Sequence, residues 1–232
     1  DVWGNGLHDA VTENYNGVDD YMLSYDPAQP DIYQKISSLS LELSDEQYYN
    51  FEDNKKAVYL ISFGEGTDFL KAASEDTYLS EVRWYGSSAL ANNADLLDDA
   101  QAAEFSVNTG GLPSPIFALD EDNKENWGIL EEELRSLLGR EPEIYAFTAY
   151  DALWVAVKTY LNIGTEYTYG QLKSAFAAEA NQYIGATGET KLNAAGDRMY
   201  GNYDFWSVVK ESGSYQWKKT AHYDSQSDEL TR

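Results

Sequence analysis

The sequence predicts an α/β fold, and two observations carry this prediction. In the first half of the chain, short strand-like runs alternate with amphipathic helical stretches, the pattern of parallel β–α–β units. Near the end, runs at residues 203–209 and 215–219 flank the turn-forming sequence Glu-Ser-Gly-Ser and predict a β-hairpin. The chain has 232 residues, 43% of them hydrophobic, and can therefore bury the core of one large or two small domains.

The first half divides into repeated helix and strand segments. Apolar spacing predicts helices around residues 7–14 and 32–43, and a third helix that begins at Thr67 or Asp68 as its cap. Strands are predicted at residues 21–25, 57–62, 82–85 and 104–107. This order is typical of an α/β lobe.

The pattern changes at Pro113, where Pro113 and Pro115 bracket an extended passage that leads into successive helices. Helices are predicted at residues 127–138 and 145–161, and Thr168 with Gln171 forms a capping box for another. We therefore predict that residues 1–112 form one α/β lobe and residues 113–198 the helical part of another. Residues 199–232 would be a hairpin that returns to the first of these regions, followed by a frayed polar tail.

Composition excludes several functional classes. Forty acidic and sixteen basic residues give a formal charge of −24, which would repel nucleic acid and anionic membrane surfaces. The sequence has no cysteine, so it contains no disulfides, thiol nucleophiles, zinc knuckles or iron–sulfur sites. We expect no nucleic-acid partner.

No motif in the sequence predicts catalysis, a metal or a cofactor. His8 and His222 have no serine or metal-ligand neighbours in sequence, and acidic pairs such as Asp98-Asp99 and Asp19-Asp20 are expected by chance in so acidic a chain. Residues 120–123 lack the glycine and the final glutamate of an EF-hand, and Gly-Glu-Gly at 64–66 lacks the Gly-Lys-Ser/Thr of a phosphate loop.

Small and aromatic residues cluster where predicted strands end or helices begin, and ligands of open α/β sheets bind at such positions. Backbone amides and serine hydroxyls there would bind a polar group, while Trp3 and Phe63 would enclose an apolar body. Spacing alone equally allows these two aromatic residues to cover the core. The candidate ligand-binding residues are Trp3, Ser62, Phe63, Gly64, Glu65, Ser87 and Ser88.

Four passages carry a family resemblance: DVWGNGL at residues 1–7, AVYLISFG at 57–64, GREP at 139–142 with YDA at 150–152, and NAAGDR at 193–198. In this order they resemble landmarks of the type I periplasmic binding proteins, specifically the branched-chain amino-acid receptors of ABC importers. The resemblance implies two Rossmann-like α/β lobes joined by hinge crossovers. It also implies an extracellular or cell-surface, non-enzymatic protein that captures a small polar or amphipathic solute for a membrane ABC permease.

By the same resemblance, Trp3 and Phe63 stand where the family places aromatic side chains against the ligand. Ser88 stands where amino-acid receptors place a carboxylate for the ligand ammonium. A neutral hydroxyl cannot balance a buried ammonium, so a standard α-amino acid requires Glu65 or another acid to substitute.

The resemblance also implies that the N-terminal part of the first lobe lies outside this chain. The sequence opens at a helix start, and the apolar helix at residues 145–161 has no sheet of its own to cover it. We expect a partner segment, either an N-terminal part of the same protein or a second copy. A ligand-sensing receptor domain of the same fold is the alternative function, and an α/β hydrolytic enzyme is a third, less favoured class.

Overall fold

A computed structural model describes residues 2–15, 21–45, 56–121 and 124–232, which form two compact units. The first unit comprises Asp1–Ile116 with Phe205–Thr220, and the second comprises Phe117–Asp204 with Ala221–Arg232. Each unit has a hydrophobic core of its own. The assignment of these units to the lobes of a binding protein stays a prediction.

The first unit contains five helices and a parallel strand pair within its described residues. Strand β1 (Ala57–Leu60) pairs with β2 (Arg83–Gly86) in parallel, from Ala57 opposite Arg83 to Leu60 opposite Gly86. The helices are α1 (Val2–Asn14), α2 (Ile32–Ser44), α3 (Gly66–Ala73), α4 (Ala94–Asp98) and α5 (Ala100–Asn108). The helices predicted in this half, and the strands predicted at 57–62 and 82–85, are confirmed.

Two strand predictions are wrong. Residues 104–107 lie in α5, because the Asp99 carboxylate accepts the amides of Gln101 and Ala102, each at 3.0 Å, and so begins a helix here. Residues 21–25 form no regular strand, and no strand in the described part of the chain pairs with them. An isolated extended run is not stable as a strand without a neighbour.

The predicted cap of α3 is also wrong. The residue that precedes this helix is Glu65, and neither Thr67 nor Asp68 caps it, since both lie within Gly66–Ala73. The loop that follows β1 therefore turns directly into the helix at Gly66. This placement leaves the Glu65 side chain at the junction between strand and helix.

The core of the first unit is centred on Trp84 of β2. Its indole is buried, meets the ring of Phe105 edge-on at 5.4 Å, and donates a hydrogen bond to the carbonyl of Leu79 at 3.1 Å. These contacts anchor α5 and the loop before β2 to the parallel strands. The side chains of Leu70, Leu79, Leu90, Leu96 and Leu112 are fully buried in the same core.

The described residues also form a four-stranded sheet. Its strands are β3 (Ser114–Ala118), β6 (Asn202–Glu211), β7 (Ser214–Asp224) and β8 (Glu229–Thr231), hydrogen-bonded in the order β3-β6-β7-β8. The predicted hairpin is confirmed, and Ser212 and Gly213 make its two-residue turn with φ of 52° and 87°. The predicted fraying of the tail is wrong, because β8 pairs with β7 in antiparallel register and satisfies backbone groups of residues 229–231.

The second unit contains α6 (Lys124–Leu138), α7 (Ile144–Ile163), α8 (Tyr169–Ala180) and the short hairpin of β4 (Ile184–Gly185) and β5 (Gly188–Glu189). These three helices were predicted, and so was the capping box of α8. The Thr168 amide donates to the Gln171 side chain at 2.8 Å, and the Gln171 amide donates to the Thr168 hydroxyl at 3.3 Å. No helix in the described ranges has the length and apolarity that a membrane crossing requires.

Helix α7 buries one side and exposes another. Phe147 and Val155 are buried, whereas Leu153 and Leu161 are 62% and 73% exposed and Trp154 is also exposed. An apolar depression of about 630 Å³ lies between α7 and α8 and is lined in part by Leu161. The apolar face that the sequence predicted on this helix is thus uncovered in the chain described here.

A buried carboxylate ties α7 to the β4–β5 hairpin. Asp151 is 2% exposed, and its two oxygens accept the amides of Ala186 and Thr187, each at 2.8 Å, as well as the Thr187 hydroxyl. Arg198 donates in turn to the Thr187 carbonyl and hydroxyl. A side chain at Gly185 would overlap the Asp151 carboxylate, so only glycine fits there.

Candidate functional site

The first unit contains a cavity of about 740 Å³ beside α1 and β1. Its volume is within the range of small-molecule sites, about 300–1,000 Å³. The wall is mainly aromatic and aliphatic, with a few polar groups. The aromatic residues are Trp3, Tyr15, Tyr21, Tyr25, Tyr59, Phe63, Phe69, Trp84 and Tyr85, and the polar and charged ones include His8, Lys35, Lys56, Ser62 and Glu65.

Trp3 and Phe63 form an aromatic pair on this cavity. Trp3 lies in the first turn of α1, and Phe63 lies in the loop that follows β1. Their ring centroids are 4.7 Å apart with a tilt of 37°, and the two residues are 37% and 46% exposed. An exposed aromatic pair on a cavity wall is suited to contact the apolar part of a ligand.

Glu65 occupies the turn between β1 and α3. Its Oε1 accepts a hydrogen bond from the Tyr25 hydroxyl at 2.8 Å and one from the Phe63 amide at 3.3 Å. The Tyr25 hydroxyl also lies 3.2 Å from the carbonyl of Ile61. These contacts fix the carboxylate against the loop and direct it toward the cavity wall, which Glu65 helps to form.

Tyr25 is a neutral donor in this arrangement. Burial raises the pKa of its hydroxyl well above the ordinary value, and the hydrogen bond to the Glu65 carboxylate raises this pKa further. The phenol therefore keeps its proton at any physiological pH. The sequence analysis assigned Tyr25 only to a strand, and no local signal marked it as a partner of Glu65.

The two serines Ser62 and Ser87 connect the ends of the parallel strands. The Ser87 hydroxyl donates to the Ser62 carbonyl at 3.1 Å and accepts from the Ser62 amide at 3.4 Å, while the Ser87 amide donates to the Leu60 carbonyl at 3.0 Å. Both serines are buried. The side chain of Ser87 thus holds the loop in place instead of lining the cavity.

The other two candidate residues lie beside this cavity but do not form its wall. Gly64 is an exposed turn residue with no atom within 4 Å of the position of a Cβ, and Ser88 is half-buried. The structure therefore brings Trp3, Ser62, Phe63 and Glu65 together on one cavity. Ser87 is not part of the cavity wall and holds Ser62 in place through hydrogen bonds to its backbone.

The amides at the start of α3 are already paired. The amides of Gly66, Thr67 and Asp68 donate to the carbonyls of Phe63, Gly64 and Glu65 respectively, at 3.0–3.4 Å. The Phe63 amide donates to Glu65. The expectation that backbone amides at this helix start bind a polar group of the ligand is therefore wrong for these four amides.

The described residues contain no group of three or more His, Asp or Glu side chains that could hold a metal ion. His222 instead contacts Asp204 at 2.6 Å, and His8 contacts Asp9 at 3.2 Å. The acidic pair at residues 19–20 and residues 122–123 of the loop considered as a calcium site lie outside the described residues.

Solved structures with the same architecture come from transport proteins. An ABC transporter substrate-binding protein from Desulfitobacterium hafniense aligns with a TM-score of 0.57 and 18% identity, over 94% of this chain and 57% of its own. The chain has the type I periplasmic-binding-protein fold. The fold predicted from the sequence is thereby confirmed.

Two further structures share the type I fold. A leucine-binding protein from Thermotoga maritima aligns with a TM-score of 0.53 and 16% identity, over 82% of this chain and 49% of its own. A Desulfitobacterium hafniense substrate-binding protein in complex with Leu aligns with a TM-score of 0.56 and 18% identity, over 94% and 57% of the two chains. These neighbours are solute-binding proteins of the group that the sequence resembles.

Sequence comparison adds one relative of this type I chain. An uncharacterized protein of Methanocaldococcus jannaschii is 26% identical over 239 residues, which cover 97% of this chain and 54% of the relative. No protein-family model matches the chain. The chain spans about half the length of this relative and of the solved structures above.

Proposed function

We propose that this chain belongs to an extracellular solute-binding protein that captures a small polar or amphipathic molecule for an ABC importer. The observation that carries the proposal is the aromatic pair of Trp3 and Phe63 on a 740 Å³ cavity next to the carboxyl end of a parallel strand. Ligands of open α/β sheets bind at such strand ends. The structural neighbours named for leucine binding and for a complex with Leu support an amino-acid-like ligand.

Within this proposal the site residues have distinct roles. Trp3 and Phe63 contact the apolar part of the solute, Glu65 contacts its polar part, and Ser87 fixes the loop through Ser62. Gly64 leaves the turn beside the cavity without a side chain. Ser88 contributes a neutral hydroxyl near the strand ends.

The proposal also includes two kinds of partner outside the chain. One is the membrane permease that receives the solute. The other is a further segment of the same protein that covers the apolar face of α7, where Leu153 and Leu161 are exposed. Burial of each large side chain would stabilise the assembly by roughly 1.5–3 kcal/mol. This chain aligns with only 54% and 57% of two similar proteins, and this partial coverage favours a further segment of the same protein over a second copy.

Native mass spectrometry tests the partner segment. The full-length protein should retain the additional segment in contact with this chain after limited proteolysis, whereas the chain alone should expose its apolar face to the dye ANS. A dimer of the chain would indicate a second copy instead. A monodisperse 26.1 kDa monomer that does not bind ANS would contradict the proposal.

Ligand-induced thermal stabilisation without turnover tests the solute-binding function itself. A ligand at one hundred times its Kd should stabilise the protein by about 2.7 kcal/mol. We expect at least one member of a panel of amino acids, amides and short carboxylic acids to raise the melting temperature, and mass spectrometry to recover it unchanged. The variant Phe63→Ala should lose this effect, while Tyr33→Ala, at an exposed position in α2, should keep it. Conversion of a ligand to product would indicate an enzyme instead.

A further inference from the structure

We propose that the first unit takes up one more β-strand, which lies in the cavity between residues 21–25 and β1. The segment of the full-length protein that leads into α1 supplies this strand. Three observations support it: an unpaired edge of β1, a neighbouring run that has no strand partner, and the position of the first turn of α1. The added strand does not depend on whether the protein binds a solute.

The outer edge of β1 has unpaired backbone groups. The Leu60 carbonyl accepts the Ser87 amide at 3.0 Å, so the backbone groups of Leu60 point to the side of β2. Successive residues of a strand direct these groups to alternate sides, and those of Ala57 and Tyr59 therefore point away from β2. No hydrogen bond from another described residue reaches them on that side.

The opposite edge of the strand pair is already used. The amides of Trp84 and Gly86 in β2 donate to the carbonyls of Thr109 and Pro113, each at 3.2 Å. The edge beside β1 is therefore the one that can accept a further strand. Unpaired groups along such an edge are a template for pairing with another chain segment.

Residues 21–25 border the same cavity as this edge. Every residue of this run and every residue from 57 to 61 lines the cavity. Side chains of a strand alternate between two faces, so a lining of consecutive residues means that the backbone edges of both runs border the cavity. The run Tyr-Met-Leu-Ser-Tyr has the aromatic content of a strand, yet no described strand pairs with it. A strand in the cavity would give both runs a neighbour.

The edge of β1 lies largely out of solvent. Leu60 is 7% exposed, and burial raises the pKa of the Tyr59 phenol. An apolar solute in this part of the cavity would leave the outward backbone groups of Ala57 and Tyr59 unpaired, and buried backbone groups are almost always paired because orphaned ones are costly. The backbone of an added strand would satisfy them.

The first turn of α1 indicates which segment supplies the strand. Trp3 packs against Phe63, which follows the carboxyl end of β1, with ring centroids 4.7 Å apart. A strand parallel to β1 would end beside this turn and continue directly into α1, as in a β–α–β unit. Phe63 and Glu65 lie beyond the end of β1, so the strand would leave them open to a solute.

The surroundings define the chemistry of the added strand. β1 has four residues and the run opposite has five, which fits a strand of about four to six residues. Apolar side chains of α1 and α2 also line the cavity, and a strand covered by helices is apolar along nearly its whole length. These side chains are Val11, Ile36, Leu39 and Leu43.

Hydrogen exchange measured by mass spectrometry tests the added strand. The 232-residue chain, at concentrations where it is a monomer, is compared with the full-length protein. We expect the amides of residues 21–25 and 57–61 to exchange on the order of 100-fold more slowly in the full-length protein, because strand pairing protects them. The amides of α5, a helix of the same unit that does not line the cavity, should exchange alike in both.

A pair of variants isolates the outward amide of Tyr59. Tyr59→Ala and Tyr59→Pro both remove the phenol, but only proline also removes the N–H that points to the added strand. We expect the proline variant to melt below the alanine variant, and this difference to be larger by at least about 3 °C in the full-length protein than in the chain alone. An equal difference in both proteins would contradict the pairing.

Three exchange results would overturn the proposal. Slow exchange of residues 57–61 in the monomeric chain would mean that its own residues pair this edge, and protection that appears only as the chain dimerises would assign the slot to a second copy. Equally fast exchange in both proteins would mean that no strand is added. The wild-type comparison decides even if Tyr59→Pro does not fold. Because no solute is present, failure of the ligand panel and failure of the added strand are distinguishable.

Discussion

The substitution Asp151→Asn should destabilise the second unit strongly, although it changes only one atom of the side chain. The carboxylate accepts the amides of Ala186 and Thr187 and the Thr187 hydroxyl, all buried. Asparagine keeps one acceptor oxygen and presents an NH₂ group to the remaining donors. An orphaned buried donor costs about 1–3 kcal/mol, and the surviving bonds lose their charge assistance.

Arg198 increases this cost. Burial lowers the pKa of its guanidinium, and the nearby Asp151 carboxylate opposes that shift, so the neutral asparagine would leave a partly buried cation without its balancing charge. We expect a total loss of about 2–4 kcal/mol in the free energy of unfolding. For a chain of this size, this corresponds to a decrease of roughly 4–16 °C in Tm.

Urea denaturation followed by circular dichroism measures this change, with calorimetry to resolve the two units if they unfold separately. The matched control is Asp197→Asn, an exposed acid whose change should stay within about 0.5 kcal/mol. A loss below about 1 kcal/mol for Asp151→Asn would refute the reasoning. It would mean that water or a shifted hairpin replaces the carboxylate at little cost.

Three further outcomes are expected. Trp3→Ala should weaken ligand binding by at least about 1 kcal/mol in calorimetry, and unchanged affinity would assign this side chain to the core. Gly86→Ala should cost about 1–3 kcal/mol of stability in urea, because its Cβ would overlap the Ser114 hydroxyl, and a neutral effect would contradict this. Lys210 and Tyr215 lower the pKa of Glu104 below its ordinary 4.5. The contribution of this carboxylate to folding stability is therefore present above pH 4.5 and is lost as the pH falls through the lowered pKa. Glu104→Gln should therefore flatten the acid limb of a plot of Tm against pH, and an unchanged limb would exclude the effect.

Sequence patterns predicted the elements whose stability is local. The capping box of α8 links Thr168 to a residue three positions away, and the hairpin turn needs only two residues with positive φ. Each of these signals lies within a few consecutive residues, so it can be recognised in the sequence without knowledge of the fold. The prediction of a strand at 104–107 failed because a run of only four residues, Glu-Phe-Ser-Val, fits a strand or a helix, and the Asp99 cap decided the outcome.

The candidate site was only partly predictable for the opposite reason. Trp3 and Phe63 were recognised by their positions, but the partner of Glu65 is Tyr25, 40 residues earlier in the chain. The pairing of the α3 amides within their own turn also depends on where the helix begins, and the predicted cap lies two or three residues after the observed one, Glu65. Contacts of this kind follow from tertiary packing and leave no local pattern.

The path of the chain through the two units limits how the protein can be divided experimentally. Residues 205–220 belong to the first unit, where Val208 is buried and its amide donates to the Gly111 carbonyl at 2.7 Å. Truncation after residue 116 would therefore remove part of the core of the first unit. A fragment of residues 117–232 would contain the segment 205–220 without the residues of the first unit against which it packs. An isolated first unit needs a linker that joins Ile116 directly to Phe205, and the second unit needs the reciprocal fusion of Asp204 to Ala221.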